Sequence, residues 1–137
     1  VRILRAALVY WAVVFALGFV LGTIRVLWLA PAAGLIPATL MELPVMLGAS
    51  WLASGWLVRR FAINSAGGGL AVGVLAFALL MAAESTLGVA MMGMTPSQWL
   101  AEFRQPHALL GLAGQVLFAL MPWWHTRCDA SSAGPNP

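Results

Sequence analysis

The chain has 137 residues, of which 62% are hydrophobic and only 8% charged, with a mean hydropathy of +0.93. A water-soluble domain carries roughly 25% charged residues, so this balance excludes an ordinary soluble enzyme and leaves an integral membrane protein. The formal charge of +3 comes from seven arginines against four acids. The arginines are scattered at the ends of apolar runs and form no basic patch, so they read as topology signals and give no reason to expect a nucleic-acid partner.

Four runs of about 20 residues, each long enough for a hydrocarbon core of roughly 30 Å, use nearly the whole chain. The predicted fold is therefore all-α: an integral membrane four-helix bundle over residues 1–124. The first span is predicted over residues 6–24. Arg2 and Arg5 precede it as they would precede a cleaved leader, but the run is longer than a usual leader core and three more spans follow, so it reads as a retained helix. Arg25 ends it, and Pro31 and Gly34 are expected to make the turn.

The second span is predicted over residues 35–58 and carries Glu42 in its first half. Pro44 follows two residues later and has no N–H for the carbonyl four residues back, which predicts a bend beside Glu42. Arg59, Arg60 and the run NSAGGG close this span. The third span is predicted over 70–92 with Glu84 in its second half, followed by a short GMT connection. Thr95, Pro96 and Gln98 then form a capping-box signature. Trp99, Leu100 and Phe103 share one face of the helix it opens, which suits a short amphipathic helix along the membrane interface.

The fourth span is predicted over 107–124, starting at His107 and interrupted only by Gln115. Trp123, Trp124 and His125 read as an interfacial anchor. Residues 125–137 are polar and rich in small residues, which predicts an irregular cytoplasmic tail. Arg2, Arg5, Arg59, Arg60 and Arg127 fall on one side of this layout, and Arg25 and Arg104 on the other. The excess places both chain ends in the cytoplasm, N-in and C-in.

Glu42 and Glu84 are the acids furthest inside the spans. At 1.5 Å per residue they lie about 10 and 12 Å below the outer ends of their helices, close to the same depth. Arg25 and His107 start or end spans on that side, so Arg25, Glu42, Glu84 and His107 are expected to form an intramembrane polar cluster, with Ser85, Thr86 and Tyr10 or Gln115 as further polar groups, Tyr10 lying toward the inner side. The cluster fits either a register-fixing charge network or a site that handles a proton or cation. Two candidate GxxxG steps, Gly18/Gly22 and Gly69/Gly73, together with Gly48, are expected to let helices approach closely or to form a homodimer or partner face.

No metal site is predicted, because the acids and histidines lack local ligand spacing and the methionines fit as gap fillers. No cofactor motif and no soluble catalytic motif is found, which argues against an enzyme. The run GTIRVLWLAP, with MELPVM and WLVRRF after it, resembles a group of small four-span bacterial inner-membrane proteins without an assigned activity. That resemblance implies an inner-membrane location and supplies no site residues. Two functions follow as expectations: a scaffold or accessory subunit contacting lipids and a larger membrane complex, or a small proton-coupled carrier using the paired carboxylates.

Overall fold

The computed structural model describes residues 1–132. Helix α1 spans Arg2–Ile24 and runs on through a π-helical turn, Arg25–Leu29, into a short α2 at Ala30–Ala33. Helix α3 spans Leu35–Arg60, α4 Ala66–Met92, α5 Pro96–Glu102 and α6 Pro106–Ser132. Four helical stretches of 32, 26, 27 and 27 residues are long and apolar enough to cross a membrane. The chain is thus all-α and built as a multi-pass membrane protein.

The first break falls later than the sequence suggests. Arg25 does not end the first helix, and Pro31 sits inside it. Proline has no N–H to offer the carbonyl of Leu27, and the helix meets this deficit by widening. The Ala30 N–H accordingly reaches back five residues to the Arg25 carbonyl. Gly34 makes the turn at φ +91, a left-handed backbone value that a side chain would strain.

At its other boundary α4 starts earlier than expected, because Ser65 caps it by accepting a 3.0 Å bond from the Gly68 N–H. The triple glycine therefore lies inside the helix. Helix α6 also runs past residue 124 to Ser132, where an irregular tail is predicted. Thr126 is buried in this extension, and His125 packs on Trp51 of α3 with ring centroids 4.1 Å apart. Its Nε2 lies 3.2 Å from the Trp51 carbonyl. Packing on a neighbour continues the helix where composition alone does not; residues 133–137 of the predicted tail lie outside the described residues.

The four long helices form a ring in which α1 and α6 each pack on α3 and on α4. That leaves α1 opposite α6 across the bundle axis. The core occupies the end of the bundle that carries Arg2, Arg59, Arg60 and Arg127. Ala6, Ala7, Tyr10 and Val14 meet Leu57, Val58, Val72, Ala76 and Phe118 there.

Two devices close this end. Gly69 and Gly73 let α4 lie directly against the backbone of α6: a Cβ at Gly69 would come 2.6 Å from the Pro122 carbonyl oxygen, and one at Gly73 would overlap the Ala119 carbonyl. The second device is a buried polar link. Pro122 lacks the N–H that would serve the Phe118 carbonyl, and the Tyr10 hydroxyl donates to that carbonyl across the bundle at 2.9 Å. An orphaned carbonyl costs several kcal/mol, roughly, in a medium without water, so the proline and the tyrosine are complementary. The rings of Tyr10 and Phe118 stack at 4.5 Å alongside.

Candidate functional site

The opposite end of the bundle is open. A cavity of about 790 Å³ lies between α1, α3, α4, α5 and α6, and its lining includes Arg25, Glu42, Glu84, His107 and Gln115. This volume falls in the roughly 300–1,000 Å³ range of small-molecule sites. Arg25, Glu42, Glu84 and His107, the residues expected to cluster, all line this space, and two separate pairs join four of its polar groups: Arg25 with Glu42 and Gln115 with Glu84.

Arg25 Nη1 stands 3.0 Å from Glu42 Oε2, and the side chains are 29% and 13% exposed. The two side chains form an ion pair between α3 and the end of the first helix. Arg25 opens the π-helical turn, so the widened backbone that accommodates Pro31 also sets the origin of this side chain. The guanidinium is out of line for a hydrogen bond, and the buried Oε2 accepts none.

Glu84 is held by a different partner. The Gln115 Nε2 donates to its Oε1 at 2.7 Å, joining α4 to α6. Gln115 Oε1 is then left buried without a donor. His107 lines the same cavity but makes no hydrogen bond or ion pair with either acid among the described residues. Ser85 and Thr86 bond to the Ala82 carbonyl of their own helix, and Tyr10 is committed to the packed end, so none of these three joins the cluster.

The glycines divide in the same way. Gly18 and Gly22 line the cavity: the nearest atom to a Cβ at Gly18 is the Met46 methyl at 3.3 Å, and at Gly22 it is Arg25 Nη2 at 3.9 Å. Gly18 thus takes the Met46 side chain of α3 closely, as the step predicts, whereas Gly22 leaves room. Gly48 has nothing within 4 Å of a Cβ, and neither does Gly111, which lines the cavity on α6. Gly111 is a site-forming residue that the sequence reading missed, since an isolated glycine in an apolar run carries no signal of its own.

The short helix α5 covers one side. Its capping box forms as predicted, with the Gln98 N–H donating to Thr95 Oγ1 at 3.2 Å and the Thr95 N–H donating to Gln98 Oε1 at 2.8 Å. Trp99 and Phe103 turn toward the cavity with ring centroids 4.9 Å apart. Trp99 also fills the notch at Gly88, where a Cβ would lie 2.9 Å from its ring. Leu100, expected on the same face, is 61% exposed instead.

Among the described residues no three His, Cys, Asp or Glu side chains gather as a metal site. No family model, curated protein or solved structure matches the chain. The resemblance carried by GTIRVLWLAP, MELPVM and WLVRRF gains no support from these comparisons. The architecture and the internal polar pairs therefore carry the functional argument.

Proposed function

We propose that this is a multi-pass protein of a bacterial inner membrane that binds an amphipathic small molecule in the open half of its bundle, as a carrier would. The observation that carries this reading is the cavity itself, because both intramembrane acids and their partners line it. A charge network serving stability alone is better sheltered when packed tightly, since unfilled space forfeits dispersion contacts. In this reading Glu42 and Glu84 hold the polar end of the ligand or its proton. Pro44, inside α3 and two residues from Glu42, is the point at which that helix flexes.

The arginine distribution supports a cytoplasmic placement of the packed end, with both chain ends there and the cavity on the outer side. The scaffold reading draws its support from small-residue faces available for lateral contact. Gly69 and Gly73 are used inside the bundle and Gly18 and Gly22 face the cavity, so of the glycines in these steps and Gly48, only Gly48 lies on an open face.

The test is native mass spectrometry of the full chain extracted in a mild detergent, for wild type and Gly111→Phe. The expected result is one retained small molecule per chain, absent from the variant. A wild-type protein that is always bare, or equal retention by both, contradicts the binding reading.

A further inference from the structure

The chemistry of the cavity specifies one kind of polar head. The side chains around it carry three carboxyls, Glu42, Glu84 and Glu102, against a single guanidinium, Arg25. Arg25 is in contact with Glu42, whereas the hydrogen bond that Glu84 receives comes from a neutral amide. The two buried polar atoms left without a hydrogen bond here, Glu42 Oε2 and Gln115 Oε1, are both acceptors. A buried acceptor without a donor costs about 1–3 kcal/mol, and intramembrane carboxylates pair with cations where they can. His107 and Trp99 line the cavity too, but among the described residues neither bonds to these acceptors, so what the two acceptors lack is a donor, and what Glu84 lacks is a cation in contact.

The rest of the wall is apolar. Phe15, Phe19, Leu43, Met46 and Leu87 line the same space, which suits a hydrocarbon tail. We infer that the cavity takes an alkylammonium amphiphile, with a head that retains its N–H donors seated among Glu42, Glu84 and Gln115. The inference rests on the binding reading above and adds the class of ligand. A quaternary ammonium carries the charge but no donor, so it leaves both acceptors unsatisfied. A carboxylate head brings a fourth carboxyl to the site and no N–H donor.

An ammonium of this kind reaches the site either as a free amine or as the headgroup of an aminophospholipid, and the experiment separates the two sources. The full chain in maltoside micelles is titrated with octylammonium, octyltrimethylammonium, octanol and octanoate, and one-to-one adducts are counted by native mass spectrometry. Wild type is compared with Glu42→Gln, Gln115→Leu and Gly111→Phe. Parallel samples receive dioleoyl phosphatidylethanolamine or dioleoyl phosphatidylcholine.

The expected result is octylammonium binding at least tenfold tighter than the other three octyl probes, weakened about tenfold by Glu42→Gln and by Gln115→Leu, and abolished by Gly111→Phe. Preference for phosphatidylethanolamine over phosphatidylcholine at one per chain supports the inference with a lipid source; octylammonium binding without it supports a free amine. If octanol or octanoate binds as tightly as octylammonium and Gly111→Phe abolishes it, the cavity reading stands and the ammonium assignment is overturned. If no probe binds one-to-one, or Gly111→Phe binds all of them as wild type does, both are overturned. Should Glu42→Gln fail to fold, Gln115→Leu reports on the same acceptors from another helix.

Discussion

The two ends of this bundle are built from the same residue types and put them to opposite uses. At the arginine-rich end, Gly69 and Gly73 bring α4 onto the α6 backbone, and a buried tyrosine satisfies the carbonyl that a proline has freed. At the other end, Gly22 and Gly111 leave space, and two buried acceptors receive no hydrogen bond. Lipid supplies no hydrophobic drive for helix association, so close packing and polar satisfaction must hold such a bundle together. Both are concentrated at one end, which frees the other to stay open.

Breaking the packed end should have the largest effect. Gly73→Ala puts a methyl into the Ala119 carbonyl, where backbone rather than a flexible side chain must yield. The expected loss is about 3 kcal/mol, read from reversible unfolding in mixed micelles, against no measurable change for Gly48→Ala. Next, Tyr10→Phe leaves the Phe118 carbonyl unsatisfied and should cost about 1–2 kcal/mol. Pro122→Ala restores an N–H to that carbonyl, so the same tyrosine change should cost clearly less in that background. Equal costs in both backgrounds would show that the hydroxyl serves something else.

Changes at the open end should be smaller. Glu42→Gln removes an ion pair at the edge of an open cavity but leaves an amide acceptor in place, and should cost about 1 kcal/mol. Glu84→Gln keeps an acceptor for the Gln115 amide and should change stability by roughly half that or less. A larger loss from Glu84→Gln than from Tyr10→Phe would mean that the polar pairs, and not the packed end, hold the bundle. Smallest of all, Gly111→Phe grows into empty space and should alter stability by roughly a few tenths of a kcal/mol while removing ligand.

What the sequence made legible is what local chemistry dictates. Length and apolar content gave four long helices, the Thr95–Gln98 spacing gave a capping box, and matched depths put Glu42 and Glu84 beside one space. The two GxxxG steps, however, look alike in sequence. Only the facing group decides that Gly69/Gly73 meets the backbone of α6 while Gly18/Gly22 meets the ends of side chains, Met46 and Arg25. The Tyr10–Phe118 bond joins residues 108 apart, so neither member announces the other, although Pro122 does announce an unserved carbonyl. The preference of Glu84 for Gln115 over His107 likewise depends on how α6 is rotated against α4, which an almost uniformly apolar helix does not encode. The continuation of α6 to Ser132 depends on contacts between His125 and α3 that composition leaves unseen.

The most direct test of the division between the two ends is thiol accessibility at matched depth. With Cys128 replaced by serine, single cysteines are placed at Gly111, near the start of α6 and lining the cavity, and at Ala7, near the start of α1 and fully buried in the core. Each variant is treated with N-ethylmaleimide in lipid discs. Reaction at Gly111→Cys at least tenfold faster than at Ala7→Cys is the expected result; equal protection of the two would mean that the cavity end is as closed as the core and would contradict the account.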